Sequence, residues 1–381
     1  MKKVMVYPNP VNKKSIRTHA NVCGYFLAKY LSKFYDIISS DELRWESDSG
    51  KTGPGSKKSS LITESIKAID AGADIIISTQ QRGFTKAGNA KVAALKAKNQ
   101  RIKLCSIHDH YGAMNYSEDA LFLAIGPSES DIKKMKISSK NKKLQVIHSG
   151  WCADHELFYP KQNANEFNIV LDHAALQDFR LDVTNVYVSA IKTLRKKYRL
   201  HNKKINLCRI RNGFEFYDFD KNHWTHDTKL MWWTPLVGED SQIENGKGAT
   251  IFQIAECLSH SHVFCVTHVE SCGLTGVEAL MAGCKLYIPK GTDRFIIWGQ
   301  KGTESIGAYK NRAVGTYTGP FLKSRLLKKY MDYVIFDVNE SRILKLFEDD
   351  FVNFKLKTSR RRLVKNNSWL SAAKKIYENL K

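Results

Sequence analysis

Long apolar runs are missing from this chain. Nothing approaches the roughly 20 consecutive apolar residues that a bilayer-crossing helix needs, and the opening MKKVMVYPNPVNKK has too short an apolar stretch for a secretory leader. The eight cysteines include no CxxC pair. That scatter argues against a zinc site and, in 381 residues, against a disulfide scaffold, so buried free thiols are expected. Internal repeats and low-complexity tracts are absent as well. What is left has ordinary globular composition, 43% hydrophobic and 11% aromatic, and is expected to be soluble and cytoplasmic. It is long enough for two α/β lobes, each with its own core.

Acidic residues are also in short supply. Against 38 Asp and Glu stand 60 Lys and Arg, a net charge of +22, of which +10 falls in residues 1–160 and +12 in the remainder. A positive field spread over the whole chain draws polyanions, either nucleic acid or an anionic membrane surface. The plain alternative is lysine-rich solvated faces with no partner.

Short apolar strands alternate with amphipathic helices. Strands are expected over 4–7, 73–78, 103–107, 121–125 and 144–148, with helices over 21–34, 61–71 and 86–98 between them. Residues 45–60, WESDSGKTGPGSKKSS, form a loop long enough to suggest a binding role. After a crossover at 150–165, a second series follows, with strands over 167–171, 204–210, 263–266 and 285–288. Its helices fall over 182–198, 251–259 and 275–282, and late helices at 341–346 and 368–380 close the chain. Repeated βα units imply parallel sheets covered on both faces. The expected organisation is an N-terminal Rossmann-like lobe over 1–155 and a C-terminal Rossmann-like lobe over 156–365. A final helix over 366–381 crosses back to the first lobe. Ligands of open α/β sheets sit beyond the carboxyl ends of strands, so the site is expected in a cleft between the lobes.

The strongest local signal is HVESCGLTGVEALMAGCKLYIP, residues 268–289. Glu270 and Glu278 bracket seven residues, with Gly273, Leu274 and Thr275 leading into a helix. A glycine at such a turn lets backbone N–H groups approach a phosphate, and a helix N-terminus favours negative charge there. An ordinary βαβ unit with a capping glutamate is the plain alternative. The pattern resembles the Glu-x7-Glu element of retaining GT-B glycosyltransferases. Weaker likenesses run from about residue 104 to the C-terminus: HSGWCADHELFYP at the lobe junction, TPLVGEDSQ with Gly238 near the base, and NSWLSAAKKIYENL in the closing helix.

The resemblance implies a UDP-sugar donor, with UDP-glucose the default, and roles for particular residues. Glu270 faces the sugar and Glu278 the ribose, while Gly238, Gly273, Leu274 and Thr275 lie along the donor. No cofactor and no obligatory metal are implied, because such enzymes hold the diphosphate with helix dipoles and cations. His108–Asp109–His110 follows a strand and resembles the QHDH element of phage DNA α-glucosyltransferases. Asp109 would then take a proton from the acceptor or orient His108. A viral source would make the cytoplasm the host's.

The family pattern breaks in two places. The glycine and arginine that usually follow the first strand of the C-terminal lobe are Asp172 and His173 here. Arg180 is the best stand-in for the diphosphate clamp, with Arg209 or Arg211 as the second cation. The usual Gly-Gly pair after the first strand is absent too. Two decoys are set aside: Ser49–Thr52 lacks the first glycine of a phosphate-binding loop, and Asp218–Phe219–Asp220 lies in a charged turn.

The acceptor stays open between duplex DNA carrying hydroxymethylated pyrimidines and a lipid-linked or cell-surface glycan at an anionic membrane. Lys51, Lys57 and Lys58 in the loop, and Lys86 and Lys91 on the basic helix, are the candidate DNA contacts. DNA is the primary reading, with the target base flipped from the duplex. A non-enzymatic binding module is a third reading, against which both glutamates weigh.

Overall fold

The apolar run Val4–Tyr7 lies in a strand, β1 (Lys3–Tyr7), buried from its second residue onward. The structure, a computed structural model, describes residues 1–10, 13, 16, 19–40, 61–79, 84, 89–108, 120–124, 146–148, 152–172, 183–211, 213–234, 249–267, 274–289, 331–336 and 338–380. The chain divides into two compact units, one made of Met1–Cys152 with Asn367–Lys381 and the other of Ala153–Asn366.

In the first unit β1 is followed by α1 (His19–Leu31), β2 (Asp36–Ile38), α2 (Leu61–Asp70), β3 (Ile75–Ser78), α3 (Asn89–Lys98), β4 (Lys103–His108), β5 (Ala120–Ala124) and β6 (Val146–His148). The six strands form one parallel sheet in the order β2-β1-β3-β4-β5-β6. On one face Met5, Tyr7, Ile76 and Leu104 pack with Leu61 and Ala68 of α2 and Leu95 of α3. Elsewhere in the unit α1 meets the C-terminal helix Trp369–Leu380, where Trp369 stacks on Phe26, and Tyr377 stacks on Phe34, just beyond the end of α1. Lys103 Nζ donates to the carbonyl of Leu380 at 3.2 Å.

The second unit runs β7 (Glu166–Asp172), α4 (Thr184–Lys197), β8 (Lys204–Arg211), β9 (Gly213–Asp218), β10 (His223–Thr225), α5 (Ile251–Ser259), β11 (Val263–Cys265), α6 (Leu274–Met281), β12 (Lys285–Pro289), β13 (Tyr333–Phe336), α7 (Glu340–Asn353) and α8 (Arg360–Asn367). Its seven-stranded sheet has the order β10-β9-β8-β7-β11-β12-β13. Five strands are parallel, and β8, β9 and β10 add an antiparallel meander at one side. Phe167, Ile169 and Leu171 pack with Tyr187, Ile191 and Leu194 of α4 and with Phe347 and Phe351 of α7.

The structure departs from the sequence expectations in several elements. β2, β9, β10 and β13 were not expected. The late helix expected over 341–346 extends over Glu340–Asn353. Asn339 caps its start by accepting from the backbone N–H of Ser341 and Arg342, and Phe347 and Phe351, one turn apart, carry its buried face onward. The stretch 368–380 is preceded by the separate helix α8.

A buried polar network closes the amino end of the second sheet. Asn168 donates to the His260 carbonyl and accepts from Asn206, while its backbone N–H donates to His262 Nδ1 at 3.2 Å. The His262 ring lies beside Phe167 and Phe354. Burial, with a further push from Lys203, lowers the His262 pKa to about 4. The seven described cysteines are all buried and free.

Candidate functional site

In each parallel sheet the strand order reverses once, and the crevice beyond the carboxyl ends at that reversal is where open α/β sheets bind ligands. In the second unit β7 leads outward to β8 on one side, and β11, β12 and β13 extend the other, so the reversal lies between β7 and β11. The two strands end side by side, with Cys265 opposite Leu171. The Glu-x7-Glu element begins two residues beyond Val266, and α6, which carries its second glutamate, starts at Leu274. Sequence pattern and sheet topology therefore converge on one end of one sheet.

Glu278 is buried in α6. It is the fifth residue of the helix, because α6 begins one residue earlier than the expected 275. Cα–Cβ bonds tilt toward a helix N-terminus, so the carboxylate leans back toward the first turn. Thr275, in that turn, is half-buried. Glu270 and Gly273 lie outside the described residues, and Leu274 is described only as the first residue of α6.

Two hydroxyls at this end of the sheet are buried and have no hydrogen-bond partner among the described residues: Thr267 Oγ1, two residues beyond β11, and Thr184 Oγ1, in the first turn of α4. Tyr187, also near the start of α4, donates its hydroxyl to the Val266 carbonyl at 3.2 Å and so fixes that turn over the end of β11. Burial holds the Tyr187 pKa well above its ordinary value, so the hydroxyl stays a donor. The N-cap of α4, Val183, offers no side-chain acceptor. Buried polar groups are nearly always satisfied; six other buried side-chain polar atoms among the described residues, on Tyr35, Ser65, Trp232, Ser259, Trp369 and Ser371, are likewise without a partner, so it is the place of Thr267 and Thr184 at the end of the sheet that links them to a ligand. Hydroxyls and helix N–H groups together suit phosphate or sugar oxygens. Thr267 and Thr184 were not among the residues singled out by sequence. The only available signal was that Thr267 directly precedes the element.

The last glycine of the segment 268–289 has a structural role. Gly283 has φ +94°, and a Cβ there would lie 2.8 Å from Pro160 Cγ and 2.8 Å from Gln162 Nε2. Pro160 belongs to the junction segment, whose buried Asp154 accepts from the N–H groups of Glu156 and Leu157 at 2.9 and 2.8 Å. The two segments that resemble the family separately are thus packed against each other.

The remaining sequence candidates are spread over the structure. Arg209 on β8 is ion-paired with Glu215 of β9, and its guanidinium lies 4.2 Å from the ring centroid of Trp224 on β10. Its charge is therefore already engaged within the meander. Arg211 ends β8, and Asp172 ends β7. His108 is the last residue of β4, at the carboxyl edge of the first sheet and paired with Ala124. Lys91 lies in α3. Two other cations of that helix are occupied locally, Lys96 by the Ile102 carbonyl at 2.7 Å and Lys98 by Asp70. Arg180, Asp109, Gly238, Lys51, Lys57, Lys58 and Lys86 lie outside the described residues. Asp218 accepts from the N–H groups of Asp220 and Lys221, closing the β9–β10 turn. Among the described residues no group of His, Cys, Asp and Glu could hold a metal ion, and no helix is long and apolar enough to cross a membrane.

No protein-family model and no curated protein matches the sequence. Solved structures do match its fold. Sucrose-phosphate synthase of Thermosynechococcus elongatus aligns over 100% of this chain and 99% of its own, with 12% identity and a TM-score of 0.52. A protein assigned as a UDP-N-acetylglucosamine 2-epimerase of Listeria monocytogenes aligns over 100% and 96%, with 9% identity and a TM-score of 0.50. At such identities the likeness is one of fold. The fold is GT-B, an α/β architecture of two Rossmann-like lobes.

Proposed function

We propose that the protein is a glycosyltransferase that takes a sugar from a UDP-sugar, with UDP-glucose the default donor, and transfers it with retention to hydroxymethylated pyrimidines in duplex DNA. The observation that carries the donor half is the position of Glu278, buried in the helix that follows β11 at the strand-order reversal of the second sheet. The name of the Listeria neighbour gives that protein a UDP-sugar substrate, which supports the same donor class.

In this reading Glu278 accepts from the ribose hydroxyls and Glu270 faces the sugar. Thr267, Thr184 and the N-terminus of α4 donate to donor oxygens, joined by Arg180 and the turn at Gly238. Departure of the diphosphate leaves an oxocarbenium-like sugar, and the helix N-termini stabilise the leaving charge. The acceptor oxygen attacks from the leaving-group face and passes its proton to a phosphate oxygen, with His108 and Asp109 orienting it. The acceptor half rests on the net charge of +22 and on the residues around His108.

The test is incubation with radiolabelled UDP-glucose and hydroxymethylated duplex DNA, followed by nucleoside mass analysis. A hexose-bearing nucleoside supports the proposal. Label appearing in a lipid-linked glycan would shift the acceptor to the membrane alternative. Donor conversion with no acceptor would point to epimerase-like chemistry, and no UDP binding at all would remove the donor site.

A further inference from the structure

Residues 355–366, KLKTSRRRLVKN, carry six cations and no acidic residue. Five of the six, Lys355, Lys357, Arg361, Arg362 and Lys365, are exposed, and none of these five is in an ion pair among the described residues. The sixth, Arg360, is turned inward and donates to the carbonyls of His155 and Phe158. That bond fixes the start of α8. Just upstream, the Lys357 N–H donates to Asp332 Oδ2, and Thr358 Oγ1 accepts from the Asp332 N–H. Leu363 is fully buried beneath the helix. The backbone of the strip is thus held in place while its charges face outward.

The arrangement is electrostatically costly without a partner. Three arginines occupy the first turn of α8, with no acidic residue there. Helix N-termini disfavour positive charge, and like charges three or four residues apart repel. Arg361 and Arg362 stand four and three residues before Lys365, so the three share one helical face. Lys355 and Lys357, both exposed, stand in the segment that leads into it. A line of phosphates would relieve both penalties, and guanidinium groups match phosphate geometry.

We infer that this strip is a docking surface for the phosphodiester backbone of a nucleic acid. Insertion into a lipid surface would need an exposed apolar face. Within the strip, however, the apolar side chains are buried (Leu363) or half-buried (Leu356, Val364), and Val352, three residues upstream, is the nearest exposed large apolar residue in the sequence. The inference extends the proposed acceptor but is read out without any sugar transfer.

The experiment is fluorescence anisotropy of a labelled 20-base-pair duplex across a KCl series, comparing the full-length protein with Arg361→Ala/Arg362→Ala/Lys365→Ala. Affinity is expected to fall at least about tenfold at moderate salt. The slope of log affinity against log salt should drop by about 2–3, near 0.9 per lost phosphate contact. A charge-conserving Arg361→Lys/Arg362→Lys protein should retain most of the binding. Unchanged thermal unfolding and UDP binding in the triple variant would show that the fold and the donor site are intact. Equal duplex binding by wild type and the triple variant would overturn the inference and leave the transferase proposal standing. Wild-type binding to vesicles of 30% phosphatidylserine without duplex binding would overturn it in favour of a membrane. Loss of UDP binding by the wild type bears only on the donor proposal.

Discussion

Gly283 lies against Pro160 with no room for a side chain: a Cβ at position 283 would come within 2.9 Å of both Cβ and Cγ of the proline ring. This contact joins the segment 268–289 to the junction segment. Alanine at position 283 would therefore meet two penalties, the overlap with Pro160 and Gln162 and a φ of +94° that L side chains rarely adopt. Gly283→Ala is expected to destabilise the fold by about 2–4 kcal/mol. Urea unfolding would measure it, and a midpoint equal to wild type would show that neither penalty is real.

Glu278→Ala removes a buried carboxylate that the proposed donor site assigns to the ribose hydroxyls. Hydrogen bonds to charged groups contribute about 1.5–3 kcal/mol, so UDP affinity by calorimetry should weaken at least about tenfold. Glu270→Ala should leave UDP affinity nearly intact and chiefly slow transfer. If both variants bind and turn over donor as the wild type does, the assignment of the element to the donor is wrong.

How much of this was legible in sequence follows from what each feature depends on. Strands such as Ile75–Ser78 and Val263–Cys265 are continuous apolar runs buried in parallel sheets, so the run itself marks them. The Glu-x7-Glu spacing is likewise a local pattern. The meander was not legible. His223–Thr225 has no strand pattern of its own and is held by cross-strand partners, with Trp224 against Tyr217 and beneath Arg209. For the same reason Arg209 looked like a free cation in sequence, since its partner Glu215 is brought opposite only by that unexpected hairpin. The orphan hydroxyls of Thr184 and Thr267 were beyond reach too, because being without a partner is a property of neighbours in space.

His262 predicts a pH dependence of stability. Its folded pKa is about 4, against about 6.5 for an unfolded histidine. Above pH 6.5 both states hold it neutral, and it adds no pH dependence. As pH falls from 6.5 toward 4, only the unfolded chain takes up the proton, so the fold loses stability, by about 3 kcal/mol in all. Below 4 this contribution is exhausted. His262→Gln keeps an acceptor for the Asn168 N–H but cannot titrate. Its unfolding free energy should fall less steeply between pH 6.5 and 4.5 than that of the wild type, and parallel curves would contradict the buried neutral imidazole.

Thr267→Val separates a ligand-binding hydroxyl from a merely tolerated one. The wild-type hydroxyl is buried without a partner among the described residues, and leaving a polar group in that state costs about 1–3 kcal/mol. Valine fills nearly the same volume without the polar atom, so the ligand-free variant should be as stable as wild type or more so by about 1 kcal/mol. If the hydroxyl is completed by a donor oxygen, the same change must weaken UDP-sugar binding by about five- to tenfold, equivalent to about 1–1.4 kcal/mol. Stability and affinity then move in opposite directions, which a packing defect would not produce. Thermal unfolding and calorimetry on the one variant decide it: a stabilised protein with unchanged UDP-sugar affinity would place the donor away from the end of β11.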